Sequence, residues 1–250
     1  DASTMLVGGA ESMSRSPHAT RSIRTGHKMG DLAFTDMLIG VLSDPFDGAH
    51  MGVTAENVAK DKGISRETQD KIAVESHRRA INAIDKGFFK DQIIPIEVKS
   101  RRETVSFDTD EHPRRDATLD GMASLRPVFQ KDGSVTAGNA SGINDGAAAL
   151  VLMSEKAAQK AGRTPLARIV GYAHAGVDPT RMGIGPVPAV RNLLERTGLT
   201  LDAFDVIESN EAFAAQVLAC LRELPLDPDR LNVNGGAIAL GHPLGCTGAK

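Results

Sequence analysis

The 250-residue chain carries 29 lysines and arginines against 32 aspartates and glutamates, a formal net charge of −3. Because its basic residues are scattered, the charge pattern argues against nucleic acid as a partner. No segment approaches the roughly 18 consecutive apolar residues of a membrane span, and the N-terminus lacks the layout of a signal peptide. The two cysteines, Cys220 and Cys246, suit neither a disulfide framework nor a metal site, so a reducing, cytoplasmic setting without a bound metal is expected.

The first part of the chain combines a short apolar opening with a long polar segment. Residues 4–7 are predicted to form a buried strand that ends in a loop at the following glycine pair. A helix is predicted from an N-cap at Ser65 to a stop at Gly87. Residues 101–120 are dense in Asp, Arg, Thr and His. Such a long, loop-rich insert suits a subdomain that covers a ligand.

Strands and helices alternate after residue 144, which indicates an α/β layered fold. The continuous apolar run at residues 147–153 is typical of a strand buried on both faces. Further strands are predicted at residues 166–172 and 205–207, and helices at residues 154–161, 187–197 and 212–224. The last helix places Cys220 on an apolar stripe, where a core role is favoured. Both ends of the chain stop in mid-element, so we expect a piece of a longer protein.

A glycine-rich segment near the end of the chain surrounds one histidine, His242. Glycines provide tight turns and bare backbone amides, and a histidine is a natural general base near neutral pH. The alternative is a phosphate-binding loop with His242 as a bystander. Asn210 follows the predicted strand at residues 205–207, at the sheet edge where ligands bind in α/β folds. It could fix a water or polarise a carbonyl, or it could be only a helix N-cap.

Two further segments are less specific. Residues 135–146 form a loop of glycines and small polar residues that is either a close approach to a ligand or a turn-rich connector. His50 joins a loop to a helix for which Thr54 is a possible N-cap, and a structural role for His50 is favoured on these residues alone.

Taken in order, the motifs resemble those of the thiolase family over nearly the whole chain. The matching segments are Gly8-Gly-Ala-Glu-Ser-Met-Ser14, His50-Met-Gly-Val-Thr-Ala-Glu56, Leu125-Arg-Pro-Val-Phe129, Thr136-Ala-Gly-Asn-Ala-Ser-Gly-Ile-Asn-Asp-Gly146, Met182-Gly-Ile-Gly-Pro-Val-Pro188, Asn210-Glu-Ala-Phe213 and Gly241-His-Pro-Leu-Gly245. The resemblance implies an α/β fold with a layered αβαβα core of two related halves and an inserted loop domain, incomplete at both ends. Residues 1–12 and 144–164 would belong to the N-terminal half, residues 13–143 to the loop domain, and residues 165–250 to a truncated C-terminal half.

The resemblance also implies a reaction, the reversible Claisen condensation of acetyl-CoA with an acyl-CoA to give 3-ketoacyl-CoA and free CoA. A cysteine would carry the acyl group as a thioester. His242 would activate that cysteine and help to line an oxyanion pocket, in which Asn210 would hold a water. Coenzyme A and acyl-CoA would be substrates, with no cofactor bound permanently.

The predicted CoA site consists of residues that match the family's binding positions. Ser141 would lie near the pantetheine arm and Arg114 near the adenine nucleotide, while the pantetheine tunnel would be lined by His50, Met51, Met182 and Phe213 and contained by Phe129. Each has an alternative. The apolar members could be core residues, and Arg114 could form a solvated ion pair.

The sequence departs from the family pattern in its cysteines. The family's nucleophile and its second catalytic cysteine fall outside these 250 residues, and neither Cys220 nor Cys246 matches their positions. We therefore expect the parent protein to be a thiolase and this chain alone to be inactive. The alternatives are another member of the superfamily, such as a ketoacyl synthase or a hydroxymethylglutaryl-CoA synthase, a non-catalytic CoA- or lipid-binding protein, and a fragment that associates with the rest of its parent. Family members form homotetramers or homodimers, for which residues 18–34 could be the contact loop.

Overall fold

The computed structural model describes residues 2–99, 101 and 103–250. Asp1 and Arg102, which belong to the predicted N-terminal half and to the polar segment, lie outside the described residues, as does Ser100. The strands are β1 (Thr4–Ser12), β2 (His18–Ala19), β3 (Thr35–Asp36), β4 (Ile96–Lys99), β5 (Thr104–Phe107) and β6 (Asp145–Met153). The α-helices are α1 (Met37–Val41), α2 (Met51–Asp61), α3 (Arg66–Asp85), α4 (Leu119–Ala123), α5 (Glu155–Lys160), α6 (Pro186–Thr197), α7 (Ala214–Glu223), α8 (Ala237–Leu240) and α9 (Leu244–Thr247).

β1 and β6 form an antiparallel ribbon that brings the two ends of the predicted N-terminal half together. The strand predicted at residues 4–7 is confirmed, but it continues through the glycine pair that was predicted to be a loop. A side chain at Gly9 would collide with the carbonyl of Gly245, so this glycine permits close packing of α9. The predicted burial of both strands is wrong, because Leu6 is 77% exposed and Val151 is 63% exposed. Each strand has one hydrogen-bonded neighbour, and the ribbon packs mainly against α9.

The remaining strands are short. β2 pairs with β3, and β4 pairs with β5, both antiparallel. The strand predicted at residues 166–172 is wrong, since this segment is exposed and joins no ladder among the described residues. The strand predicted at residues 205–207 reduces to a single parallel bridge between Ile207 and Leu231. An apolar segment becomes a strand of a sheet only where the backbone groups of a neighbouring segment pair with its own amides and carbonyls.

The predicted helices are confirmed within two residues at each end. Ser65 caps α3 by accepting a hydrogen bond from the amide of Thr68, and Gly87 follows the helix with a φ of 73°. α5 and α6 end in the same way, at Gly162 and Gly198, with φ of 61° and 70°. The glycine-rich segment that surrounds His242 contains two short helices, α8 and α9.

α7 is the central helix of the core. Its small residues Ala215 and Ala219 pack against Val58 of α2, and Ala214 packs against Ala73 of α3 and the helix α8. Alanines at these positions let the helix axes approach closely. Its apolar stripe also meets α6 through Cys220, in a third cluster of buried residues. α7 therefore fixes the segment that precedes it, which carries Asn210, relative to the segment that carries His242.

Candidate active site

His242 and Asn210 are brought together by this packing. His242 lies in the turn between α8 and α9, and Asn210 lies shortly before α7 begins. The side-chain amide nitrogen Nδ2 of Asn210 is 3.3 Å from Nε2 of the His242 ring. The two side chains predicted to carry the chemistry, which are 32 residues apart in the sequence, thus form one polar pair.

The orientation of the His242 ring is set by Thr247. Nδ1 of the ring is 2.7 Å from the Thr247 hydroxyl, and that hydroxyl donates to the carbonyl of Pro243 at 3.0 Å. Since the hydroxyl hydrogen is engaged by Pro243, Nδ1 of His242 is the donor to Thr247. Nε2 is then the unprotonated nitrogen, and it accepts a hydrogen bond from Asn210. The lone pair of the neutral ring therefore faces the Asn210 amide.

The local charge favours the neutral ring. Partial burial lowers the pKa of His242, and the nearby Lys250 ammonium lowers it further. The backbone is fixed as well, because the amide of His242 donates to Oδ1 of Asn144 at 3.1 Å and Lys250 donates to the carbonyl of Leu240 at 2.7 Å. A neutral, oriented imidazole with an available Nε2 is competent to accept a proton near neutral pH.

Asn210 does not act as a helix cap. The N-cap position of α7 is Phe213, and no side chain there caps the helix. The alternative interpretation of Asn210 as an N-cap is therefore wrong. The neighbours of Asn210 hold it instead, since both the amide and the carbonyl of Ser209 are hydrogen-bonded to the side chain of Asn232. Asn210 is left with its side-chain amide directed to His242.

Three of the residues predicted to bind CoA form a continuous chain of ring contacts, and a fourth, Ser141, lies beside it. The rings of His50 and Phe129 stack with centroids 4.7 Å apart, and the Phe129 ring meets the edge of Phe213 at 6.1 Å. The hydroxyl of Ser141 donates to the carbonyl of Ala212 at 3.1 Å, next to Phe213. An apolar wall with a small hydroxyl group therefore lies beside the segment that carries Asn210.

His50 also has the structural role that its sequence context favours. Its Nδ1 accepts a hydrogen bond from the amide of Gly52, so His50 itself caps α2. The predicted N-cap at Thr54 is wrong, because the Thr54 hydroxyl lies inside the helix and donates to the carbonyl of Met51 at 2.7 Å. An imidazole acceptor at a cap is uncommon, which is why the sequence pattern favoured the threonine.

The other predicted CoA residues occupy two places. Met51 opens α2 beside His50, and Met182 lies, half-exposed, in the 3₁₀ helix Pro179–Ile184 that packs on α2 and α7. Arg114 is exposed and is held through its backbone amide, which donates to Nδ1 of His77 at 3.1 Å. Among the hydrogen bonds and ring contacts of the described residues, none joins Arg114 to the other predicted members.

The sequence pattern missed the residues that orient His242. Thr247 and Lys250, which follow His242 within one short segment, are not among the predicted site residues, and Asn144 is predicted only as one member of the loop at residues 135–146. The close approach of Gly241 to the Asn144 side chain, with a φ of 87° at Gly241, leaves no room for a side chain there. A glycine immediately before a candidate catalytic histidine is the signal that pointed to such a contact.

The predicted core position of Cys220 is confirmed, and Cys246, for which no position was predicted, is buried as well. Cys220 is buried in the core, where burial raises the pKa of its thiol to about 11. Cys246 is also buried, and burial raises the pKa of its thiol. A buried thiol held in its protonated form is a poor nucleophile.

Within residues 2–99, 101 and 103–250, no group of three His, Cys, Asp or Glu side chains could hold a metal ion, and no helix could cross a membrane.

Comparison with known proteins assigns the family. The family model described as the thiolase N-terminal domain matches residues 1–156, and that described as the thiolase C-terminal domain matches residues 163–250. The chain therefore belongs to the thiolase family. Its fold superposes on the crystal structure of the Bacillus anthracis acetyl-CoA acetyltransferase with a TM-score of 0.96, at 52% sequence identity over 99% of this chain and 63% of that one. The expected thiolase-like α/β fold is confirmed.

Particular relatives carry two kinds of name. The chain is 58% identical over 250 residues to the beta-ketothiolase BktB of Cupriavidus necator and 51% identical over 251 residues to the acetyl-CoA acetyltransferase of Escherichia coli. These matches cover 100% of this chain and 64% of each relative. A human mitochondrial 3-ketoacyl-CoA thiolase in complex with CoA superposes with a TM-score of 0.94, at 51% identity over 99% of this chain and 62% of that one. The chain thus spans less than two thirds of the relatives that it matches.

Proposed function

We propose that the protein containing this chain is an acyltransferase that joins acetyl-CoA and an acyl-CoA into a 3-ketoacyl-CoA and free CoA, and that also runs the reverse thiolysis. The observation that carries the proposal is the 3.3 Å pairing of Asn210 with a His242 ring whose Nδ1 is anchored on Thr247. Membership of the thiolase family and the names of the relatives supply the reaction class. A site that only bound CoA would need neither an oriented base nor its amide partner.

His242 acts first as a general base. Its Nε2 accepts the proton of a cysteine thiol, which the family resemblance places outside these residues, and the thiolate attacks the acyl carbonyl carbon. The departing CoA thiolate takes up a proton from solvent, so the cysteine proton stays on Nε2. The second family cysteine, which also falls outside these residues, takes the α-proton of acetyl-CoA to give the enolate. With Nε2 protonated, His242 becomes a hydrogen-bond donor to a developing enolate oxygen. Asn210, with its amide directed to the same point, supports that oxygen directly or through a water.

The CoA moiety would lie along the wall formed by His50, Phe129 and Phe213. The aliphatic segments of the pantetheine arm can pack against flat aromatic faces. The half-exposed Met182 would add an adaptable apolar side chain to the same site. Ser141 would meet the pantetheine amides, and the exposed guanidinium of Arg114 would meet the nucleotide phosphates or adenine. CoA is a substrate here, and no permanently bound cofactor is required.

The wider context is also proposed. We assign residues 1–12 and 144–164 to the N-terminal half of the core, residues 13–143 to the loop domain and residues 165–250 to the C-terminal half. The pairing of β1 with β6 supports the first assignment, because it joins the two pieces across the insert. We also propose that the protein forms a homotetramer or homodimer with residues 18–34 at the contact. Its proposed location is the cytoplasm, and its proposed role is in fatty acid breakdown. The free thiols of Cys220 and Cys246 are compatible with a reducing compartment.

The proposal is tested by thiolysis of acetoacetyl-CoA, followed as loss of its enolate absorbance. The full-length gene product should be active, His242→Ala should lower kcat by about 100-fold to 10,000-fold, and Asn210→Ala by about 10-fold to 1,000-fold. Cys220→Ala, a core change away from the pair, is the matched control and should retain activity. The 250-residue chain alone should be inactive. Turnover by the chain alone, or an unchanged rate in His242→Ala, would contradict the mechanism, and CoA binding without turnover by the full-length protein would favour a non-catalytic binding role.

A further inference from the structure

A buried carboxylate lies next to Asn210. Glu211 is only 2% exposed, and its two oxygens accept three hydrogen bonds. The Ser76 hydroxyl donates to Oε2 at 2.6 Å, the Asn232 side-chain amide donates to Oε1 at 2.8 Å, and the amide of Ile238 donates to Oε2 at 3.2 Å. These donors come from α3, from the residue that follows Leu231 in its bridge with Ile207, and from α8. One side chain therefore ties three separate parts of the chain to the segment that carries Asn210.

Asn232 holds the other side of Asn210. Its backbone has a φ of 45°, in the left-handed region that a non-glycine residue adopts only when its surroundings require it. In this conformation Oδ1 accepts from the Ser209 amide at 2.7 Å, while Nδ2 donates to the Ser209 carbonyl at 2.9 Å as well as to Glu211. Asn210 thus lies between two residues whose positions are fixed by Asn232.

Glu211 and Asn232 together form a clamp on Asn210, and Ser76 connects this clamp to the segment that carries His242. Its hydroxyl donates to Glu211 and accepts from the amide of Gly236 at 3.0 Å. Gly236 lies so close to the carboxylate that a side chain there would collide with it. Residues 236 and 238 are therefore held against Glu211, a few residues before His242. Both segments of the catalytic pair are bound to one buried group.

The chemistry of the clamp suits positioning better than stability alone. Burial raises the pKa of Glu211, while the hydrogen bonds from Ser76, Asn232 and Ile238 act in the opposite direction. A buried carboxylate is costly compared with an apolar residue of the same volume, but it sets distances and directions that apolar contacts leave loose. The pair itself is joined by a single 3.3 Å hydrogen bond, so its geometry depends on what holds the two backbones.

We propose that Glu211, together with Asn232 and Ser76, is a positioning device that sets the distance between Asn210 and His242. The inference rests on the proposed role of that pair in catalysis. Glu211 touches neither substrate nor reacting atoms, and it acts through the two backbones that it holds. Its loss should therefore change the pair's hydrogen bond and the chemical step, with little effect on CoA binding at the aromatic wall.

The test uses Glu211→Gln in the full-length protein, because this change keeps the shape and replaces one acceptor oxygen by an NH₂ group facing donors. The first readout is the ¹⁵N resonance of the His242 Nε2 atom, assigned by its loss in His242→Gln. Asn210→Ala provides the reference for a broken pair. Glu211→Gln should move the resonance in the same direction by at least half of the reference change. In the same protein, kcat should fall by about 10-fold to 100-fold while KM for CoA stays within about twofold.

Glu56→Gln is the matched control. Glu56 is another buried glutamate whose carboxylate accepts backbone amides, those of Ser134 and Val135. Its substitution should lower the unfolding temperature yet leave the His242 resonance in place. Should Glu211→Gln fail to fold, Ser76→Ala removes the bridge to Gly236 and is measured in the same way.

The outcomes separate the two proposals. A wild-type His242 resonance in a destabilised Glu211→Gln or Ser76→Ala variant overturns the positioning role, as does an unmoved resonance in Asn210→Ala. If the full-length protein performs no thiolysis, the proposed function fails, but the resonance measurements still decide whether the clamp sets the pair. A shifted His242 resonance together with a lowered kcat supports both the proposed function and the positioning role.

Discussion

Stability should fall as the pH is lowered because of His77, a buried histidine of α3. The residue is 4% exposed, and its Nδ1 accepts the backbone amide of Arg114 at 3.1 Å. Burial lowers the pKa of His77 to about 4, and the charges of His112 and Arg114 lower it further, while Asp116 acts in the opposite direction. Protonation would replace the acceptor by an N–H group facing the Arg114 amide. The loop that carries Arg114, a predicted CoA contact, would then be released from α3.

The sign and size follow from linkage. Between pH 6.5 and about 4 the unfolded chain carries a proton on this histidine that the folded chain does not, so acidification favours unfolding in that window. At about 1.4 kcal/mol per pH unit, the full effect is roughly 3 kcal/mol, present above pH 6.5 and lost at the acid end. This is a large share of a typical net stability of about 5 to 15 kcal/mol.

The assay is urea unfolding of the full-length protein at a series of pH values from neutral to about 4. His77→Asn keeps an acceptor oxygen for the Arg114 amide but does not titrate, so its unfolding midpoint should depend less on pH than that of the wild type. The dependence that remains would come from other groups, including His50 and His242, whose pKa values are also lowered. An equal pH dependence in both proteins, or a His77 ring that titrates at 6.5 or above, would refute the reasoning.

Three further changes probe the site and the core. Gly52→Val would drive a side chain into the Phe129 ring, so we expect an increase in KM for CoA worth about 1 to 3 kcal/mol with kcat retained, measured by initial rates. Asn144→Ala leaves the His242 backbone amide without its acceptor and should lower kcat by an amount worth about 1 to 3 kcal/mol; an unchanged kcat would show that Thr247 alone suffices. Cys220→Ala should lower the free energy of unfolding by about 1 kcal/mol without loss of thiolysis, and an inactive, folded variant would contradict its core role.

The sequence predicted the helices well because their signals are local. Ser65 and Gly87 lie at the two ends of α3, and each acts on backbone groups within four residues. The same holds for α6 and its glycine stop. The strands were predicted less well, because a local apolar run does not specify its partner. Of the segments predicted as strands at residues 147–153 and 166–172, only the first pairs within the described residues, with β1, which lies far away in the sequence.

In the candidate site, too, the sequence predicted some features and only the tertiary structure decided the others. The residues alone marked His242 and Asn210 as candidates but left a phosphate-binding loop and a helix cap open as alternatives, and the family resemblance then predicted their roles in catalysis. Only the tertiary structure decided that Asn210 is not a cap and that Nε2 of His242 is the unprotonated nitrogen. It also brought Ser76 to Glu211 across 135 residues. The sequence determines which side chains are present. The burial of each side chain, the tautomer of His242 and the hydrogen-bond partners depend on segments that meet only when α7 packs against α3 and α8.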